Sequence, residues 1–349
     1  MYWARTVPYE STRMGFHLWV SEFVAYFNLI GLEESNNFDL IYLPHSLGGL
    51  GFLHLGQVAH ICYSVSVYLA VRDLDLTNLI PSDQYRVLLS ALSPSFAGFD
   101  SIWDKRIKIC QRQITHLFYK EKLSLLKEKL SECERLQFIS NCDSQSSCFL
   151  KVLPISQNFT FSDDCFKYLI NLRLLQGEQF VICPLCGYGD LGLDHSFQCR
   201  KVSRMVTQRH DEVNNFINEL NNFESEKEFK FGLNKQLRVD GFQTSTKIAF
   251  DVTIVGGYGN NWSDAFSKAY SDKIAKYSIL KELNLINQIV PLVFSVHGGF
   301  YTKTKVLFDQ FGWNELANEI SCIILKNSFK CHSAFNYILQ KKREDRQCW

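Results

Sequence analysis

The residues with the clearest chemical potential lie between Cys183 and Asp251. Cys183 and Cys186 form a Cys-Pro-Leu-Cys pair, and His195 and Cys199 follow after a glycine-rich turn. Three thiolates and an imidazole suit a tetrahedral zinc ion. The x2 and x3 spacings let each pair wrap one side of it. With all four ligands supplied by protein, such a site is structural and not catalytic. The alternative is a set of buried cysteines beside a hydrogen-bonded histidine. Asp194 fits a supporting or surface position better than a ligand position.

Asp240 and Asp251 form the second constellation. Both lie in apolar, strand-like sequence, where a carboxylate is costly unless paired or bound to a cation. Carboxylate-held magnesium or manganese can stabilise charge on a phosphodiester and activate water. A nearby lysine can steady the transition state, and Lys273 and Lys276 are available on the following helix. Glu212 and His210, on the preceding helix, are further candidates for the same cleft, and each fits a surface or core-capping position equally well. The competing reading makes Asp240 a turn residue before Gly241 and Asp251 a solvent-facing strand end, with the lysines on a charged surface stripe.

The elements that must position these groups follow from periodicity. Residues 58–74 read as a buried helix and 103–136 as one long amphipathic helix. Segment 162–177 reads as a helix capped by Ser162 or Asp163 and stopped by Gly177. Segments 201–221 and 264–284 read as helices, and 237–242, 247–256 and 289–300 as strands. Helix, strand, strand, helix, strand predicts a compact α/β domain within an α+β multidomain chain. The boundaries place a first region at 1–75, a helical linker domain at 76–177, a zinc module at 178–200 and the α/β domain at 201–330. A polar tail at 331–349 follows.

Composition narrows the class. The chain has 349 residues, 46% apolar and 21% charged, which describes a folded protein. A net charge of +1 argues against a large non-specific nucleic-acid footprint, though local clustering can still supply one. The 12 cysteines and the absence of a basic head before an apolar run favour reduced thiols over a secreted disulfide framework. The glycosylation-like triplets at Asn158 and Asn261 then carry little weight. No apolar run approaches the ~18 residues of a membrane span.

The ordered set CPLCGYGDLGLDHSFQC, QRH (208–210), LRVDG (237–241), FDVTIVGG (250–257), KIAKY (273–277) and PLVFSVHGGF (291–300) resembles a known family. It is the carboxy-terminal region of non-long-terminal-repeat retrotransposon proteins that carry a restriction-enzyme-like endonuclease. Upstream, LPHSLGGLGFLHL resembles the segment entering the polymerase thumb, and 149–174 resembles the linker before the cysteine cluster.

The resemblance covers most of the chain from about residue 42 and implies a restriction-endonuclease-like domain. Asp240 and Asp251 would be the metal-binding acids, Glu212 a match to an acidic residue of the first helix, and Lys273 or Lys276 the site lysine. Thr253 stands where the lysine of an Asp-x-Lys ending would be, and Val239 where the family has proline. The resemblance further implies DNA as substrate, element RNA and a separate reverse transcriptase as partners, and a nuclear location, with the cytoplasm as the alternative. No Tyr-x-Asp-Asp polymerase motif is present, so the chain reads as a nuclease-bearing tail, a non-catalytic nucleic-acid-binding or assembly protein, or an inactive retroelement remnant.

Overall fold

The computed structural model describes residues 39–54, 111–176, 182–189, 195–220, 237–256 and 262–347, with isolated positions elsewhere. The chain divides into two compact units, Met1–Lys129 and Leu130–Trp349.

In the first unit, a short helix α1 (Asp39–Tyr42) leads into a turn whose backbone reverses through Pro44, Gly48 and Gly49. Helix α2 (Gln111–Lys129) closes this unit. The expected helix over 58–74 falls partly outside the described residues; those described are helical, with Val58, Ile61, Cys62 and Val65 buried.

The long helix expected over 103–136 is two helices where it is described. α3 (Glu132–Asn141) begins afresh after Ser131, which sets a capping box with Glu134: the Glu134 N–H donates to Ser131 Oγ at 3.3 Å and the Ser131 N–H to Glu134 Oε2 at 2.8 Å. Two of the orphan donors of a helix start are thereby satisfied reciprocally. The unit boundary falls at this break. α4 (Asp163–Arg173) starts where its Ser162 cap predicts, with Ser162 Oγ accepting from the Cys165 N–H.

The second unit is built around a mixed three-stranded sheet in the order β1-β2-β3. Helix α5 (Ser203–Leu220) precedes β1 (Gly241–Gln243) and β2 (Ile248–Val255), which pair antiparallel. Helix α6 (Trp262–Glu282) crosses over to β3 (Gln288–Ser295), which lies parallel to β2. The expected order helix, strand, strand, helix, strand is therefore present.

Alternation along β2 sorts its side chains between two layers. Phe250 and Val252 face Val213 and Ile217 of α5, together with α7 (Thr302–Phe311) and α8 (Ala317–Gln347). Ala249 faces Tyr277 and Leu280 of α6. Each buried large apolar side chain contributes roughly 1.5–3 kcal/mol, so these two layers fix the sheet.

Pro291 sits inside β3 without harming the ladder. The Val296 N–H reaches Val255 O at 2.9 Å, whereas the Val293 and Ser295 N–H groups point away, to Thr304 Oγ1 and Gly299 O. By the same alternation, position 291 would aim its N–H outward, where proline costs no β2 bond. Gly298 then turns the chain with φ 77°, a conformation that favours glycine.

The polar text after residue 330 is not a tail through Gln347. It is the second half of α8, and Cys331, Phe335 and Leu339 pack against Cys183, Leu185, Cys186 and Cys199. Lys342 Nζ also donates to Pro184 O at 2.6 Å. The zinc-type segment and α8 are thus one packed body.

Candidate metal centre and acid cluster

Cys183, Cys186, His195 and Cys199 are all buried, and their ligand atoms lie within 4.8 Å of one another. Two of the edges are a 3.9 Å approach of the Cys183 and Cys199 sulfurs and a 3.4 Å approach of Cys186 Sγ to His195 Nε2. A tetrahedral ion with Zn–S near 2.3 Å requires sulfurs about 3.8 Å apart, so the donor set and its spacing are consistent with structural zinc. The Cys186 N–H points to Cys183 Sγ at 3.4 Å, which suits a sulfur carrying negative charge. Arg200 braces the turn through Cys186 O at 2.7 Å. Asp194 lies outside the described residues.

Arg209, 1% exposed, joins this module to the sheet domain. Its guanidinium donates to Phe197 O at 3.1 Å and to Ser328 Oγ at 3.0 Å, and Ser328 in turn donates to Val296 O at 2.7 Å. One buried cation thereby ties the cysteine turn, α8 and the end of β3.

The two aspartates are brought together by the β1–β2 pairing. The Asp240 N–H donates to Phe250 O at 3.1 Å, and Asp240 Oδ2 accepts the Val252 N–H at 2.7 Å, so Asp240 brackets Asp251. Both are buried; the Asp240 side chain is 10% exposed and that of Asp251 4%. Asp251 is therefore not a solvent-facing strand end, and Asp240, though at a bend before Gly241, is buried.

His210 Nε2 lies 3.2 Å from Asp240 Oδ2, and Asn214 Nδ2 donates to Asp240 O at 3.4 Å. Burial alone would lower the His210 pKa. Hydrogen bonds and charge from Asp240 and Asp211 outweigh it and push the value up to about 9, so the ring is cationic at neutral pH. Asp240 Oδ1 accepts no hydrogen bond among the described residues.

Around Asp251 the groups come from α6. Lys273 forms a close ion pair with Asp251 Oδ2. Among the described residues that oxygen has no well-directed hydrogen bond, so the contact is an ion pair above all. Tyr277 donates to Asp251 Oδ1 at 2.5 Å or to Arg238 O at 2.6 Å, and accepts from Lys276 Nζ at 2.8 Å. Burial raises the Asp251 pKa, and the charge of Asp240 raises it further, against the pull of Lys273 and Tyr277. Burial also raises the Tyr277 pKa and lowers that of Lys276.

The expected site residues separate accordingly. Lys273 pairs with Asp251, Asp240 lies close enough for its charge to act on Asp251, and Lys276 is attached through Tyr277. Glu212 is turned elsewhere: it accepts from Gln208 at 2.8 Å, from Asn327 at 2.6 Å and from Lys330 at 3.2 Å. Its carboxylate thus belongs to the α5–α8 contact and not to the acid cluster. Two positions apart on a helix are about 200° apart around it, so His210 and Glu212 cannot share a face. Thr253, on the Asp251 face of β2, leaves Oγ1 buried with no hydrogen-bond partner among the described residues.

Comparison with protein-family models finds no match, and a search of curated proteins finds none. Among the described residues, no helix is long and apolar enough to cross a membrane.

Proposed function

We propose that the unit from Leu130 onward is a magnesium- or manganese-dependent DNA endonuclease of the restriction-enzyme-like kind, related to retrotransposon target-site nicking. The observation that carries this reading is the juxtaposition of two buried carboxylates, one just before β1 and one within β2, with the Lys273 ammonium beside the second. Two carboxylates this buried repel each other and raise the Asp251 pKa, which a divalent cation relieves. The donor set is all oxygen, as hard cations prefer, and Asp240 Oδ1 is available to one.

Bound there, a divalent cation would stabilise charge on the phosphodiester and lower the pKa of water. Asp240 and Asp251 would hold it. Lys273, already at the carboxylate, is set to exchange its ion pair for a phosphate oxygen or the attacking water. Tyr277 fixes the Asp251 carboxylate in place, and the Val252 N–H and His210 fix Asp240. The Cys183–Cys186–His195–Cys199 cluster is assigned a structural zinc that holds the module against α8.

The second reading is a nucleic-acid-binding or assembly protein that has kept the scaffold. It draws on the same network, because His210 and Lys273 already neutralise the two acids without a metal. Plasmid nicking by zinc-loaded protein with Mg2+ or Mn2+ separates them. Nicking that is lost in Asp240→Ala and Asp251→Ala supports the nuclease. Intact DNA with the folded wild type supports the scaffold.

A further inference from the structure

α6 carries more than the residues that serve Asp251. Trp262, Phe266, Tyr270, Lys273 and Tyr277 fall within about 80° of one another around the helix at ~100° per residue. One face therefore runs from the start of α6 to the acid cluster, about 16 Å from Trp262 to Lys273 at 1.5 Å per residue.

Trp262 is explained by packing, since it is buried and its indole N–H donates to Leu136 O at 2.9 Å. Phe266 and Tyr270 are half-buried, as is Tyr301 at the start of α7. Phe266 and Tyr301 stack at 5.7 Å with 25° between their planes, and Tyr270 lies 5.6 Å from Tyr301. Neither tyrosine hydroxyl makes a hydrogen bond among the described residues.

An open cavity of about 330 Å³ borders this aromatic step, walled by Phe266, Tyr301, Ser140, Ser263 and the Asp143–Lys305 ion pair. Lys303 extends its ammonium over the Tyr270 ring at 4.6 Å. Asp264 and Asp272 are exposed on α6, about 120° and about 80° around the helix from the nearest edge of this face. Stacked and tilted aromatic rings with Lys303 over one of them, along a half-open face that ends at the acid cluster, match what an unpaired strand requires. Bases stack on the rings regardless of sequence while ammonium groups meet the phosphates.

We propose that this α6–α7 face binds single-stranded DNA, with bases stacked on Phe266, Tyr270 and Tyr301 and the backbone against Lys303, and leads that strand toward Asp240 and Asp251. The inference rests on the nuclease reading for its direction, but the binding it asserts needs neither Mg2+ nor cleavage. Base–aromatic stacking is sequence-tolerant, and loss of two stacking rings weakens binding about thirtyfold or more.

The test is fluorescence anisotropy of a labelled thymidine 20-mer and an abasic strand of equal phosphate count. Zinc-loaded protein is used without added Mg2+ or Mn2+. The expected result is at least tenfold tighter binding of the base-bearing strand. Tyr270→Leu/Tyr301→Leu should remove that preference while abasic binding stays within twofold. Lys303→Glu, an exposed change that leaves the core untouched, should weaken both strands at least threefold. Equal affinity for the two strands, or a folded double variant that keeps the preference, overturns the inference. Base-dependent binding by a protein that nicks nothing would support this face and sink the nuclease reading alone.

Discussion

Replacing Tyr277 by Phe isolates one oxygen atom in the acid cluster. The ring is fully buried and would stay, so no cavity opens and the loss is polar. The hydroxyl donates at 2.5 Å to a carboxylate and accepts at 2.8 Å from Lys276. A hydrogen bond to a charged group contributes about 1.5–3 kcal/mol, and the exposed Lys276 can recover its bond from water. A loss of about 2 kcal/mol at neutral pH follows. With an m-value of about 2 kcal/mol/M, urea unfolding should shift by about 1 M.

The loss also has a sign in pH. The Tyr277 bond favours the ionised form of Asp251, a group whose pKa burial and Asp240 already raise. Its stabilisation is full where Asp251 is ionised and shrinks as pH falls through that titration. Urea midpoints for wild type and variant, read by circular dichroism at two pH values, check both points. A loss below about 0.5 kcal/mol, or one unchanged on acidification, would refute the network.

Further outcomes follow from other parts of the fold. Chelation of zinc, or Cys199→Ser, should lower the thermal midpoint and loosen α8 along with the cysteine turn, seen as faster hydrogen exchange around Phe335 and Leu339; unchanged exchange there would contradict the shared core. His332 stacks on Tyr168 at 4.1 Å and bonds Ser196 at 3.1 Å and Asn336 at 2.9 Å, and burial lowers its pKa to about 4. A histidine held neutral contributes stability above its ordinary pKa, so up to about 3 kcal/mol should be lost between pH 6.5 and 4, and His332→Gln should flatten that slope. A Cβ on Gly241 would run into the Phe250 ring, so Gly241→Ala should cost about 1–3 kcal/mol in urea unfolding; a neutral result would contradict the β1–β2 packing.

Much of the sheet domain was legible because its signals are local. The β-branched run 248–255 and the Ser162 cap each state their element in a few residues. The Cys-x2-Cys and His-x3-Cys spacings likewise state a four-ligand cluster. Other features depend on partners far away in sequence. The break at Ser131 hides inside continuous helical periodicity, and only the Ser131–Glu134 box betrays it. α8 looks polar after residue 330 because its apolar positions, Cys331, Phe335 and Leu339, form a single narrow stripe. Lys273 and Lys276 cannot be ranked by spacing, since both sit within one turn; the strand beneath decides that Lys273 meets Asp251 while Lys276 meets Tyr277. Glu212 was misleading for the opposite reason: it neighbours His210 in sequence but occupies the other side of α5, against Asn327 and Lys330.

The most direct test of the proposed activity is supercoiled-plasmid nicking by zinc-loaded protein titrated with Mg2+ or Mn2+, beside folded Asp240→Ala and Asp251→Ala. Metal-dependent conversion of supercoiled to open-circular DNA by the wild type, and its loss in both variants, is the expected result. Intact plasmid with folded wild type, or equal nicking by the Asp251 variant, would contradict it.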